Sequence, residues 1–318
     1  NTHDTVLLEW TARNTDGARY DGGAPRELIR VQQPFSNHNG GQIAFNPLAG
    51  PGDADFGMLY IGNADGGSGG DPLNLAQNPA SAFGKILRID PLGSNSANGR
   101  YGIAAGNPFV AGGPRGALRE IYALGVRNPQ RFGWDPANGN MFVADIGQNA
   151  VEELSAVSAG ANLGWNVWEG SFKFVSRAGV DTTDARGDDD MTFPIAEYDH
   201  ADPVLVGRAA VTGVHVYRSD AIPALAGLIL FGDNPSGEVF AVSADDLPDG
   251  GGDSIRRILL NDDGQAKTLL QLIREKNTEQ GKPPAARADL RFRSGADGRV
   301  FLLNKQDGVV RVLGSAGR

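Results

Sequence analysis

The chain contains no cysteine, so disulfide bonds and thiolate metal sites are excluded. It also contains no apolar run long enough to span a membrane as a helix. Basic residues are outnumbered, with 29 Lys and Arg against 38 Asp and Glu and a formal net charge of -9. We see no basic patch that offsets this balance, so the composition argues against nucleic acid as a partner, because its phosphates would be repelled.

Glycine and proline are abundant instead. The 45 glycines and 18 prolines are scattered between short apolar runs, which favours many turns and short strands. With 40% hydrophobic residues in 318, the chain can bury a large core, and no linker divides it. We predict one soluble all-β domain over residues 1–318, with a short helix over Lys267–Lys276 and an exposed acidic loop over Ser176–Asp190.

A hairpin pattern recurs along the chain, in which a first strand, a turn and a second apolar or alternating strand follow one another. The pairs of segments are Gln42–Pro47 with Gly57–Gly62, Arg131–Pro136 with Gly139–Asp145, and Arg291–Ser294 with Val300–Leu303. Repeated hairpins of this kind are typical of β-propeller blades, each of which buries its face against its neighbours. We therefore predict a β-propeller, and a generic all-β domain with ordinary hairpins is the alternative.

A loop rich in oxygen ligands follows an Arg-Asn-Pro turn. The turn is Arg127 to Pro129, and the loop runs from Asp145 to Glu153. Backbone oxygens beside two consecutive glutamates suit a hard cation such as Ca²⁺, and the nearby arginine suits an anionic ligand. Adjacent glutamates on a strand face opposite sides, so we expect at most one of them at any single ion. The alternative is an acidic surface turn without a metal.

Several ordered motifs carry a resemblance to a known family. They are His38-Asn39-Gly40-Gly41, Gly84–Asp90, Asn107-Pro108-Phe109, Glu120–Gly125 with Arg127-Asn128-Pro129, and Gly160–Trp165. In this order they resemble the glucose/sorbosone dehydrogenase family, the soluble aldose sugar dehydrogenases that depend on pyrroloquinoline quinone (PQQ). The resemblance covers most of residues 30–240. The phrases Asp145–Asn149, Glu152-Glu153 and Glu197–His200 lean toward the subgroup that is also similar to hedgehog-interacting protein.

The resemblance implies a six-bladed β-propeller whose central mouth holds PQQ over a Ca²⁺ ion. It implies that His38 is the base, which takes the proton of the sugar C1 hydroxyl while hydride passes to the quinone. Asp65 matches an aspartate of the family and would orient His38 or accept a hydrogen bond from the sugar. The structural alternatives are a histidine that caps its own glycine-rich turn and an ordinary Asp-Gly turn. The other histidines, His3, His200 and His215, carry weaker signals.

The resemblance also implies which residues contact the cofactor and the metal. The cofactor contacts would be Arg127 and Asn128, together with a late arginine pair, Arg291 and Arg293. The metal contacts would be the backbone oxygens of Gly147 and Gln148, with Glu152 and Glu153 serving a nearby structural Ca²⁺ or holding the loop. For Arg127 and Asn128 the alternative is a structural tie to a neighbouring blade.

The sequence also departs from the family pattern. No lysine occurs in Phe231–Gly237, where the family places a lysine contact to the cofactor. Thr5–Thr11 and Glu27–Gln32 resemble late strands, so we expect the first blade or blades to be absent from this sequence and the propeller to be N-terminally incomplete. Exposed strand edges would then favour self-association.

The predicted function is the PQQ- and Ca²⁺-dependent oxidation of aldose sugars at C1 to lactones, with an unidentified electron acceptor. The alternative is a noncatalytic propeller that binds a glycan or a protein partner. A Ca²⁺-dependent lactonase is a third reading, which would need several carboxylates at the central mouth. The resemblance implies a periplasmic or secreted location.

Overall fold

A computed structural model describes residues 3–295 and 297–315, and their fold is all-β, as predicted. Five antiparallel sheets follow one another along the chain. We name them sheets A to E. Sheet A contains β1 (His3–Glu9) and β2 (Arg26–Gln33), and sheet B contains β3 (Ile43–Phe45), β4 (Leu59–Asn63), β5 (Lys85–Asp90), β6 (Gly102–Ile103) and β7 (Ile121–Leu124). Sheet C contains β8 (Pro129–Trp134), β9 (Met141–Asp145), β10 (Val151–Val157) and β14 (Ala196–Asp199); sheet D contains β15 (Val211–Tyr217), β16 (Leu228–Asp233), β17 (Val239–Ser243) and β18 (Arg256–Ile258); sheet E contains β21 (Arg291–Ser294), β22 (Val300–Leu303) and β23 (Arg311–Leu313).

Smaller elements connect these sheets. Strands β11 (Trp168–Glu169), β12 (Phe172–Ser176) and β13 (Gly179–Asp181) form a separate three-stranded sheet between β10 and β14. Strands β19 (Leu260–Asp262) and β20 (Gln265–Lys267) form a hairpin before the helix α1 (Leu269–Glu279), and a 3₁₀ turn covers Pro223–Leu225. No helix in the described residues has the length and apolar character that crossing a membrane requires.

The hydrophobic core is a series of interfaces between consecutive sheets. Sheets A and B share Leu28 and Ile89, and sheets B and C share Ile86 and Val143. The interface of sheets C and D, and that of sheets D and E with α1, have the same apolar character. Because each sheet buries its faces against its neighbours in chain order, the arrangement is that of propeller blades.

The first strands of sheets C to E are neighbours, sheet B contacts the first of them, and glycine allows these close approaches. A Cβ on Gly41 would lie 1.9 Å from the carbonyl oxygen of Pro129, at the contact of sheets B and C. A Cβ on Gly213 would lie 2.1 Å from the ring of Phe292, at the contact of sheets D and E. The strand contacts between these sheets run from β4 to β8, from β8 to β15 and from β15 to β21.

The three predicted hairpins are confirmed as β3–β4, β8–β9 and β21–β22. The two strands predicted near the N-terminus are confirmed as β1 and β2. The helix prediction is wrong at both ends, since Lys267 closes β20 and α1 continues to Glu279. The reason is a capping box, in which the Thr268 hydroxyl accepts from the backbone of Gln271 and the Gln271 side chain accepts from the backbone of Thr268.

The contact of sheets B and C yields a test. Gly41→Ala should lower the free energy of unfolding by about 2 kcal/mol or more, because the methyl group overlaps a backbone oxygen that cannot move alone. Gly23→Ala is the matched control, since nothing lies within 4 Å of its added Cβ, and it should change stability by less than about 0.5 kcal/mol. Equal denaturant midpoints for the two variants would contradict the packing described.

Candidate active site

His38 and Asp65 meet at one end of sheet B, although they are far apart in sequence. His38 follows β2 in a left-handed backbone conformation with φ 57, and Asp65 follows β4. The His38 Nδ1 lies 2.7 Å from the Asp65 Oδ1. The same carboxylate accepts the backbone N–H of Gly67 at 3.0 Å and the indole N–H of Trp165 at 2.9 Å. Asp65 is 2% exposed, so this carboxylate holds the histidine rather than facing solvent.

The Arg127 guanidinium lies on the other side of the His38 ring. Its Nη1 donates to the carbonyl oxygens of Ile146 at 2.9 Å and Gly147 at 2.6 Å, and its Nη2 donates to the Gln148 side chain at 3.2 Å. Nη2 also lies 3.4 Å from the His38 Nε2. Because Asp65 can only accept and Arg127 can only donate, the network assigns the proton to Nδ1 and leaves Nε2 as an acceptor.

Two buried carboxylates shape the backbone around Arg127. Asp145 accepts the backbone N–H groups of Arg127 at 2.8 Å and Asn128 at 2.6 Å. Burial raises the pKa of Asp145 to about 7, and these N–H groups oppose the rise. The Glu169 Oε1 accepts four consecutive backbone N–H groups, those of residues 148 to 151. The sequence analysis did not identify Glu169, which is distant in sequence from the loop that it organises.

These residues open onto a cleft of about 520 Å³. Its lining residues are His38, Arg127, Asn128, Ile146, Gly147, Gln148, Asn149, His200, Gly207, Arg208 and Ala209. The predicted residues at positions 38, 127, 128, 147 and 148 therefore come together, with Asp65 directly behind His38. A larger groove of about 760 Å³ beside α1 contains none of the predicted residues. The smaller cleft is the candidate site because the polar side chains converge there.

The two glutamates face opposite sides of β10, as expected. Glu152 is fully buried and holds His200, with its Oε1 2.7 Å from the His200 Nε2, while its Oε2 accepts the backbone N–H of Val211 at 2.7 Å. Glu153 accepts the backbone N–H of Gly170 at 2.7 Å. Its pKa is raised well above the usual value, first by burial and then by Asp145. Glu152 thus has partners other than a metal.

The residues fit a metal only through the backbone. Among the described residues, no three His, Asp or Glu side chains converge in an arrangement that could hold a metal ion. The Gly147 carbonyl oxygen already accepts from Arg127, whereas the Gln148 carbonyl accepts no hydrogen bond from the described residues. Carbonyl oxygens of this kind suit Ca²⁺ when a bound ligand and water complete its shell.

The structure does not bring Arg291 and Arg293 into the cleft. They share one face of β21, as expected, and Arg291 donates to the carbonyl oxygen of Leu290 at 2.7 Å. Their charges act on Arg131 of β8, whose pKa is lowered to about 10, mainly by burial and then by the two arginines. His200 and Arg208 line the cleft instead. Of these two residues, only His200 carried a signal in the sequence, and that signal was weak.

Comparisons with known proteins show the family of the chain. The family model for glucose/sorbosone dehydrogenase matches residues 5–278. The chain belongs to this family. It is 35% identical to the HIPL1 protein of Arabidopsis thaliana over 246 residues, which cover 73% of this chain and 34% of that protein. It is 26% identical to the aldose sugar dehydrogenase YliI of Escherichia coli over 202 residues, 62% of this chain and 46% of that protein. The chain thus spans about a third of the length of the plant relative.

Solved structures of sugar dehydrogenases share the fold of this family member. A crystal structure of a glucose dehydrogenase matches with a TM-score of 0.62 and 21% identity, covering 96% of this chain and 72% of that chain. The PQQ-bound aldose sugar dehydrogenase of Streptomyces coelicolor matches with a TM-score of 0.57 and 21% identity, covering 96% and 70%. At these identities the likeness establishes the fold.

The hydrogen bonds of Asp65 make Asp65→Asn informative. One amide cannot accept from both His38 and Trp165, so one donor must lose its acceptor whichever way the amide is turned. We expect the free energy of unfolding to fall by about 2 kcal/mol and the ring ¹⁵N shifts of His38 to move. Asp16→Asn at an exposed position is the control. Unchanged ¹⁵N shifts would contradict the assigned tautomer.

The His200–Glu152 pair predicts a pH dependence. Burial is the largest single influence and would lower the pKa of His200, but the hydrogen bond to Glu152 and the negative charges of Glu152, Glu169 and Asp233 together raise it above 6.5. The stability that this pair contributes is therefore complete below pH 6.5 and is lost as the pH rises through the raised pKa. In urea unfolding, the stability advantage of the wild type over His200→Gln should be larger at pH 6 than at pH 9. An advantage that grows with pH would contradict the assignment.

Proposed function

We propose that the protein is a PQQ- and Ca²⁺-dependent dehydrogenase that oxidises aldose sugars at C1 to lactones. The observation that carries the proposal is the His38 ring, which Asp65 holds through Nδ1 and whose Nε2, 3.4 Å from the Arg127 Nη2, is left as the acceptor beside the cleft. When bound, PQQ supplies the electron-accepting carbonyl and Ca²⁺ the charge that polarises it. The family membership and the aldose sugar dehydrogenase relative support this choice.

The residues of the chain have distinct roles in this proposal. His38 Nε2 takes the proton of the C1 hydroxyl, and Asp65 keeps the ring in the accepting tautomer and stabilises the imidazolium that forms. The Arg127 guanidinium and the Asn128 side chain would hold the anionic quinone, and the carbonyl oxygens of Gly147 and Gln148 would hold Ca²⁺. Asp65 is buried behind His38, so its carboxylate is shielded from water.

The remaining assignments form part of the same proposal. Glu153 would hold the loop rather than a structural cation, because its carboxylate accepts the backbone N–H of Gly170. Sheets B to E would be consecutive blades of a six-bladed ring. Arg291 and Arg293 would contact cofactor only after moving toward the cleft. The family relationship supports a periplasmic or secreted location.

A noncatalytic binding role is the second candidate. Its support is the 35% identity to a plant HIPL1 protein, which exceeds the 26% identity to the sugar dehydrogenase YliI. In this role the same cleft would take a glycan or a protein segment without turnover. The two candidates differ in one measurable property, which is electron transfer from a sugar to an acceptor in the presence of PQQ.

The test is reconstitution with PQQ and Ca²⁺, followed by dye reduction with a panel of aldoses. We expect turnover with the wild type and a loss of about 10²- to 10⁴-fold in His38→Ala, because general-base catalysis contributes that much. Binding of PQQ to each variant is measured separately, so that a lost base is not confused with a lost cofactor. Absence of PQQ binding to the wild type would refute the dehydrogenase, and full activity in His38→Ala would refute the base.

A further inference from the structure

The ionisable side chains that line the cleft all belong to basic residues. They are Arg127, Arg208, His38 and His200, and no Asp or Glu is among the lining residues. The chain as a whole has a formal net charge of -9. A cleft lined by basic residues focuses a positive electrostatic potential, even in a protein of net negative charge, and this potential attracts anions. The role of Arg127 is explained by its contacts with the backbone and His38, whereas the role of Arg208 is not.

Arg208 is held at the cleft without any partner for its charge. Its side chain is exposed and forms no hydrogen bond or ion pair with the described residues. The loop that carries it is anchored, because the backbone N–H of Ala210 donates to Asp233 at 2.8 Å and the carbonyl oxygen of Ala210 accepts from Asn234 at 2.8 Å. Gly207, with φ 78, provides the tight turn before it. The guanidinium is thus positioned by its backbone and available to a ligand.

His200 stands at the same cleft with one ring nitrogen available. Its backbone N–H donates to Ala150 at 3.0 Å, and its Nε2 is bound to Glu152, a carboxylate without solvent exposure. The Nδ1 forms no hydrogen bond with the described residues. A buried carboxylate that binds one ring nitrogen of a histidine also fixes the orientation of the other ring nitrogen. Supporting residues orient ligand-binding side chains in this way.

We propose that Arg208 is one half of a carboxylate-binding subsite in this cleft, and that the Nδ1–H of His200 donates to the same ligand when both of its ring nitrogens carry protons. A guanidinium binds a carboxylate through two parallel N–H donors, so an unpaired arginine beside an oriented imidazole selects this group over a neutral one. The inference deepens the proposed function, on which it rests. The carboxylate belongs either to the quinone cofactor or to an acidic sugar such as a uronate, and the two sources are separable by experiment.

The test compares Arg208→Gln with Arg115→Gln, a matched control at an exposed position outside the cleft that removes the same charge. Dissociation constants are measured by calorimetry at low ionic strength for PQQ with Ca²⁺, for the trimethyl ester of PQQ, for glucuronate and for glucose. Loss of a charge-assisted contact should weaken binding of the carboxylate ligand about tenfold or more in Arg208→Gln. In Arg115→Gln the change should stay within about twofold, because a remote charge is screened.

The ligands identify the source of the carboxylate. If it belongs to the quinone, Arg208→Gln weakens PQQ binding but not binding of the ester. If it belongs to the sugar, Arg208→Gln weakens glucuronate binding but not glucose binding. His200→Gln keeps a donor for Glu152 and removes the free ring nitrogen, so it should weaken the same ligand by a smaller factor.

Failure of this subsite is distinguishable from failure of the proposed function. If Arg208→Gln and Arg115→Gln bind PQQ and glucuronate equally, the subsite is refuted, and wild-type turnover of aldoses would leave the dehydrogenase intact. If the wild type does not bind PQQ but binds glucuronate through Arg208, the dehydrogenase is refuted and the carboxylate subsite is supported.

Discussion

The buried carboxylate of Asp145 is the contact on which the candidate site depends. It ends β9 inside the molecule and accepts the backbone N–H groups of Arg127 and Asn128 at 2.8 and 2.6 Å. An unpaired carboxylate at this depth would be costly, so the turn that brings these donors is strongly favoured over other conformations. The turn places the Arg127 guanidinium 2.6 Å from the carbonyl oxygen of Gly147 and 3.4 Å from the His38 Nε2. One interaction therefore joins sheet B, sheet C and the loop of the cleft.

The acidic character of the protein is arranged around this basic cleft rather than within it. Asp65, Asp145, Glu152 and Glu169 all lie behind the lining residues and are nearly or fully buried. Each accepts hydrogen bonds from backbone N–H groups or from a histidine, so each carboxylate positions a group that reaches the cleft. Burial makes these contacts stronger than they would be in water, and it makes their loss expensive. The cleft therefore keeps a positive lining in a chain of net negative charge.

The fold was predictable where its causes are local. The hairpin β8–β9 follows from strand patterns on either side of a short turn, and the strands occur where the sequence places them. The start of α1 was misjudged because the capping box at Thr268, rather than the apolar pattern, decides it. For the site, motif order identified His38 and Arg127, but no local pattern shows that Trp165 reaches Asp65 or that Glu169 reaches the backbone of Gln148, since these partners lie far apart in sequence. Arg208 carries no local signal, because only the folded loop brings it to the cleft.

The backbone at His38 bears on the choice between an enzyme and a binding protein. A residue other than glycine in the left-handed region costs about 1 kcal/mol or more, and such a cost persists only where the surroundings impose it. Here the surroundings are the bond to Asp65, whose other acceptor site is occupied by Trp165, and the guanidinium on the opposite edge of the ring. Fixing the tautomer and the ring orientation together is what proton transfer requires, so the strain at His38 favours catalysis.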